Sequence, residues 1–179
     1  MALLVYVDDL VLTGNASAFC AQFKAYLNNC FRIKDLGPLK YFLGIEVGRN
    51  AKGLFLCQRK YALEIIEECG LFGAKLVEFP MKTNHKLGVA TGPLLSDPTQ
   101  YRRLVGRLIY LTLIRPELSY SVHILSQFLL APRQAHMEAA KRVLRYLKGT
   151  PGHGILLHSG LDLNIIAFCD SEWGGVSSY

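Results

Sequence analysis

The chain opens with two short apolar runs, residues 3–7 and 10–13, on either side of Asp8 and Asp9. β-Branched and aromatic residues dominate both, so the pattern predicts a β-hairpin with Asp8 and Asp9 as its two-residue turn. A helix over 16–31 follows, N-capped by Asn15, with Phe19, Phe23, Tyr26, Leu27 and Cys30 on one stripe expected to be core. Residues 31–34 alternate as a short strand that Asp35-Leu36-Gly37-Pro38 breaks. A further strand over 41–47 then turns at Asn50-Ala51-Lys52-Gly53 onto 54–57.

Beyond this point the period becomes helical. Tyr61, Ile65, Ile66 and Cys69 predict a helix over 58–69 that stops at Gly70. Residues 75–95, with Pro80, Gly88, Gly92 and Pro93 and no clear period, read as an exposed connector in which His85 is a surface histidine. Asp97-Pro98-Thr99-Gln100 is a strong helix start, and Tyr101, Leu104, Val105, Leu108 and Leu111 form the apolar face behind it. Arg115-Pro116-Glu117 closes that helix and starts one carrying Leu118, Val122, Leu125 and Leu129. A third, over 134–148, buries Ala140, Val143, Leu144 and Leu147. Residues 154–158 are expected to pair with 164–169 around Ser159-Gly160. The whole pattern is α+β.

Composition narrows the class. At 179 residues, with 51% hydrophobic and 19% charged side chains, the chain is globular and long enough for a sizeable core. Five widely spaced cysteines without a Cys-x-x-Cys motif favour a reduced intracellular compartment: cytoplasm, nucleus or an organelle. Apolar runs are broken well before bilayer-spanning length, so membrane insertion and secretion are not expected. The net charge of +6 is concentrated: between positions 99 and 150, nine arginines and lysines face only Glu117 and Glu138. Such segregation favours a polyanion, and nucleic acid is the usual one, because neutralising phosphates releases counterions. Arg103 and Arg107, an i, i+4 pair, and Lys141, Arg145 and Lys148, one strip of the last helix, are the candidate phosphate contacts. A solvated basic face is the alternative.

The paired acids carry the most specific chemistry. Asp suits tight turns, but the preferred second turn residue is Gly, and a second Asp adds like-charge repulsion. Magnesium would relieve it, since its usual protein ligands are one or two carboxylates, completed by water and substrate phosphates. A solvated turn is the alternative, and the pattern favours the metal.

The motif Tyr6-Val7-Asp8-Asp9, within the run from Leu4 to Asn15, resembles the Tyr-x-Asp-Asp motif of reverse transcriptases in copia-type LTR retrotransposon polyproteins. The block Lys34-Asp35-Leu36-Gly37, the run from Tyr101 to Ile114 and the run Ala140-Lys141-Arg142-Val143-Leu144-Arg145-Tyr146 resemble later segments of the same polyproteins, in the same order. The resemblance implies an incomplete palm of antiparallel hairpins over 1–57, a helical thumb and connection over 58–150, and the opening of an RNase H-like domain over 151–179. It implies that Asp8 and Asp9 are catalytic ligands of a two-magnesium site, completed in the family by an earlier aspartate. Tyr6 would lie beside the nucleic acid, the second hairpin would act as a primer grip, and Asp170 would be the first RNase H metal ligand. Implied partners are an RNA or DNA template–primer and other polyprotein segments. Only seven residues precede Asp8, which leaves no place for the fingers or the earlier aspartate. The expected activity alone is therefore weak or absent. A non-catalytic nucleic-acid-binding module and a transposon relic are the competing readings.

Overall fold

The structure, a computed structural model, describes residues 1–89, 92–160 and 167. Among them the chain mixes helices with antiparallel strands and divides into two compact units between Leu43 and Gly44.

In the first unit, β1 (Ala2–Tyr6) pairs with β2 (Asp9–Thr13) in the register Tyr6↔Asp9, Val5↔Leu10 and Leu4↔Val11. The two turn residues are therefore Val7 and Asp8, which corrects the expected Asp8–Asp9 turn by one position. Val7 has φ 49, a left-handed value that costs a β-branched residue strain. Helix α1 (Ser17–Cys30) starts at Ala16, not Asn15, without a side-chain cap. Its stripe is not core. Phe19 and Tyr26 are more than half exposed, as are Leu4, Val5 and Tyr6 on the ribbon. No residue of 1–43 is buried, because one ribbon and one helix cannot enclose each other's apolar faces. Residues 31–34 are not a strand either. The Ile33 N–H turns back to the Phe31 carbonyl, while Asp35 accepts from Lys24 and from the Gly37 N–H. The Lys24 bond, then the Gly37 bond, hold the Asp35 carboxyl below its ordinary value. The expected strand over 41–47 is split into β3 (Tyr41–Phe42) and β4 (Ile45–Asn50), because Leu43 and Gly44 both take positive φ.

In the second unit, β4 pairs with β5 (Gly53–Cys57) through the expected turn, in the register Asn50↔Gly53. β5 pairs in turn with β6 (Gly154–His158), which was expected to find its partner among 164–169. Apart from Ala167 those residues, and Asp170, lie outside the described residues. The β5–β6 approach needs glycine on both sides. A Cβ at Gly53 would lie 2.0 Å from the Leu157 oxygen, and one at Gly154 would lie 2.0 Å from the Leu56 oxygen.

Four helices complete this unit: α2 (Arg59–Glu68), α3 (Pro98–Leu111), α4 (Ser119–Ser126) and α5 (Gln134–Gly149). Gly70, at φ 65, ends α2 as expected, although Cys69 is exposed. Asp97 caps α3 by accepting from the Thr99 N–H at 2.8 Å, with Pro98 at the first helical position. Ile65 and Ile66, Tyr101, Val105, Leu108 and Leu111, Val122 and Leu125, and Val143, Leu144 and Leu147 meet in one core. Each buried aliphatic side chain stabilises by about 1.5–3 kcal/mol relative to exposure. Arg115 separates α3 from a 3-10 turn over Pro116–Leu118, and α4 ends earlier than the pattern suggested.

The connector is pinned, where the sequence pattern suggested a purely exposed segment. Leu87 is buried in the core, and its carbonyl accepts from Nε2 of the buried His136 at 3.1 Å. His136 Nδ1 accepts from the Arg133 N–H at 2.9 Å, which fixes the tautomer, and its ring stacks on Phe128 at 4.0 Å. His85 is half-buried, with Nε2 3.2 Å from the Tyr120 hydroxyl. No helix among the described residues is long and apolar enough to cross a membrane.

Candidate functional site

Asp8 and Asp9 occupy different places in the hairpin. Asp8 is the second turn residue, and Asp9 is the first residue of β2, directly opposite Tyr6. All three are exposed. Neither carboxylate has a hydrogen-bond or ion-pair partner among the described residues, so both present hard, uncompensated oxygen donors at the strained Val7 turn. That chemistry fits magnesium, which takes few protein carboxylates and keeps positions for water and phosphate oxygens. The set is partial: among the described residues, no three His, Cys, Asp or Glu side chains converge on one point. Asp8 and Asp9 could supply two of the oxygen ligands of such an ion.

The basic candidates divide sharply by their partners. Arg103 and Arg107 both donate to one oxygen of Glu68, Arg103 at 3.1 Å, and the Arg107 guanidinium also lies over the Tyr61 ring at 5.2 Å. Lys141 donates to Glu138 at 3.1 Å. Lys148 turns inward to the Ala74 carbonyl at 2.8 Å. Arg102 donates to the Leu129 and Leu130 carbonyls, and Arg133 to that of Gly92. Among the described residues Arg145 alone of the basic candidates has no protein acceptor, and it shares this with Arg142, three positions earlier on α5. The Nε of each is shielded from water without a hydrogen bond, and both side chains are half-buried. Unpaired guanidiniums retain their full field, whereas those against Glu68 are partly neutralised.

Sequence reasoning missed Arg142, which it counted only toward total charge, and it missed Glu68 as the neutralising partner. The Arg145 result has a local signal, since no acid stands three or four positions away on its helix. Glu68 had none, being 35 and 39 residues from the arginines it meets.

The comparisons with known proteins bear on this arrangement. A family model described as reverse transcriptase (RNA-dependent DNA polymerase) matches residues 1–83, which contain Asp8 and Asp9. An uncharacterized mitochondrial protein of Arabidopsis thaliana is 44% identical over 99% of this chain and 74% of its own length. The retrovirus-related Pol polyprotein from transposon RE1 of the same plant is 45% identical over 97% of the chain. The corresponding polyprotein from transposon TNT 1-94 of Nicotiana tabacum is 33% identical over the same share. The chain spans only 12% and 14% of those two polyproteins. No solved structure matches it. With the Tyr6-Val7-Asp8-Asp9 hairpin inside the matched region, the chain belongs to the reverse transcriptase family of copia-type retrotransposon Pol polyproteins.

Proposed function

We propose that the chain is a reverse transcriptase segment in which Asp8 and Asp9 hold magnesium and the helices of the second unit contact template–primer phosphates. The observation that carries this reading is the pair of exposed, uncompensated carboxylates at a strained hairpin turn. Bound there, magnesium supplies charge neutralisation for in-line displacement at phosphorus. Asp8 and Asp9 orient and retain the ion. Tyr6, opposite Asp9, offers an aromatic surface beside it. On this reading residues 1–57 are palm, 58–150 thumb and connection, and 151–179 the start of an RNase H-like domain with Asp170 as its first metal ligand, all working in a reduced intracellular compartment. Two carboxylates hold magnesium weakly, so the chain alone is expected to extend primers poorly.

Arg142 and Arg145 support the duplex contact and also keep the second reading, a non-catalytic binding module, in play. Two assays on the full chain separate them. In a magnesium-dependent primer-extension assay, weak synthesis abolished by Asp8→Asn supports the polymerase segment, and robust synthesis would overturn the expectation of a weakly held ion. In salt-dependent duplex binding, Arg142→Glu with Arg145→Glu should abolish affinity. Unchanged affinity would remove these helices from the interface, and binding indifferent to both Asp8→Asn and magnesium would favour the module.

A further inference from the structure

The second unit contains an open cleft of about 400 Å³ that none of the readings above uses. Phe55 of β5, the Arg115–Glu117 turn, Tyr146 of α5 and the residues around His153 line it. Its size falls within the range of small-ligand sites, and its wall sets the rings of Phe55, Tyr146 and His153 beside the charged Arg115 and Glu117. The polar groups are already in place. Arg115 is 2% exposed and donates from Nε to Glu117 at 2.5 Å, from Nη1 to the Thr150 carbonyl at 2.8 Å and from Nη2 to the Thr150 hydroxyl at 2.8 Å. Its guanidinium also lies 5.8 Å from the centre of the Tyr146 ring. These bonds tie Arg115 to Glu117 and Thr150 and leave one hydrogen on each Nη without an acceptor among the described residues. Glu117, whose side chain is 40% exposed, has bound only one of its oxygens. The Tyr146 hydroxyl and the His153 ring have no hydrogen-bond partner among the described residues.

This combination selects a class of ligand. Arg115 and Glu117 cancel in charge, so the cleft has little attraction for a free anion. What it offers is a carboxylate acceptor beside guanidinium donors, next to a fixed aromatic face, which is the complement of a planar heterocycle with donors and an acceptor on one edge. A carboxylate accepts best from two adjacent N–H groups. Among the nucleobases, guanine alone presents that pair, N1–H beside the N2 amine, with O6 next to them for the guanidinium. Adenine, cytosine and uracil each present a single donor position on that edge, next to an acceptor. Unstacked bases are recognised in this way, through aromatic stacking and hydrogen bonds to the Watson–Crick edge.

We propose that this cleft binds a single unstacked guanine base, with Glu117 reading N1–H and N2–H, Arg115 facing O6 and Tyr146 stacking on the ring. The inference rests on the nucleic-acid reading only for the source of the base. Its test uses mononucleotides, so it can fail while duplex binding through Arg142 and Arg145 stands, and the reverse. Calorimetric titration of the full chain with GMP, AMP, CMP and UMP should show GMP bound about 10- to 100-fold more tightly than the others, the discrimination of one bidentate pair. Glu117→Gln keeps an acceptor for Arg115 but loses the double acceptor, and it should abolish the preference in a chain that still melts cooperatively, at a somewhat lower temperature because the buried Arg115 loses its carboxylate. Tyr146→Leu should weaken all four nucleotides together. A thymidine decamer with one central dG distinguishes the sources: tighter than GMP, the base comes from a strand; weaker, from a free nucleotide, and either result supports the site. Equal binding of the four nucleotides by the parent chain, or a GMP preference that survives in well-folded Glu117→Gln, would overturn the assignment.

Discussion

If Glu68 masks Arg103 and Arg107, removing its charge should strengthen nucleic-acid binding at a small cost in stability. The structure bounds both effects. Arg103 and Glu68 are largely exposed, with side chains 72% and 49% accessible, so their pair contributes at most about 1 kcal/mol. Arg107 is only 19% accessible, and Glu68→Gln leaves it an amide oxygen in place of a carboxylate, a further loss of about 1 kcal/mol. The melting temperature should therefore fall by roughly 2–6 °C for a chain of this size. Two released guanidiniums that reach phosphates would steepen the slope of log affinity against log salt by up to about 2, at roughly 0.9 per phosphate on B-form duplex. Fluorescence anisotropy of a labelled duplex across a sodium chloride series reads the slope, and a thermal melt reads the stability. Glu64→Gln is the control. It removes the same charge from α2, but its partner is Lys60 at 3.9 Å. Identical slopes for the two variants would refute the masking argument, because only total charge would then matter.

Three further outcomes follow from the packing. Tyr101→Phe removes a buried hydroxyl that donates to the Leu125 carbonyl at 2.8 Å and should destabilise by about 1–3 kcal/mol in urea melts with an unchanged slope. Asp35, held below its ordinary value first by Lys24, contributes stability that is present above pH 3.8 and lost as pH falls through its lower folded value. Carboxyl NMR should find its midpoint below 3.8, and Lys24→Met should return it toward 3.8. Because residues 1–43 bury no side chain, amides of β1 and β2 should exchange with solvent by local opening, far faster than those of α3, and equal protection would contradict the burial argument.

The helices were legible where one apolar face decides everything. Tyr101, Leu104, Val105, Leu108 and Leu111 repeat at helical spacing and all five are buried, and Asp97-Pro98 marks their start. The hairpin register was not legible. Both of its faces are apolar and neither is buried, so no burial pattern chooses between a turn at Val7 and Asp8 and one at Asp8 and Asp9. The pairing of β5 with β6 joins segments about a hundred residues apart, and its only sequence trace is the two glycines, Gly53 and Gly154, that permit the approach. The same distance effect hid the chemistry. The basic total was readable from composition, but which cations remain free depended on Glu68 and on the Ala74 carbonyl, whose positions come from tertiary packing.

The polymerase reading requires Asp8 and Asp9 to grip a divalent ion. Residue-resolved NMR of the full chain during a manganese titration tests it most directly, because the paramagnetic ion broadens only nearby amides. Selective broadening is expected from Val7 to Leu10, reversed by excess magnesium and lost in the Asp8→Asn, Asp9→Asn double variant. Broadening centred on other acids, or unchanged broadening at the hairpin in that double variant, would contradict it.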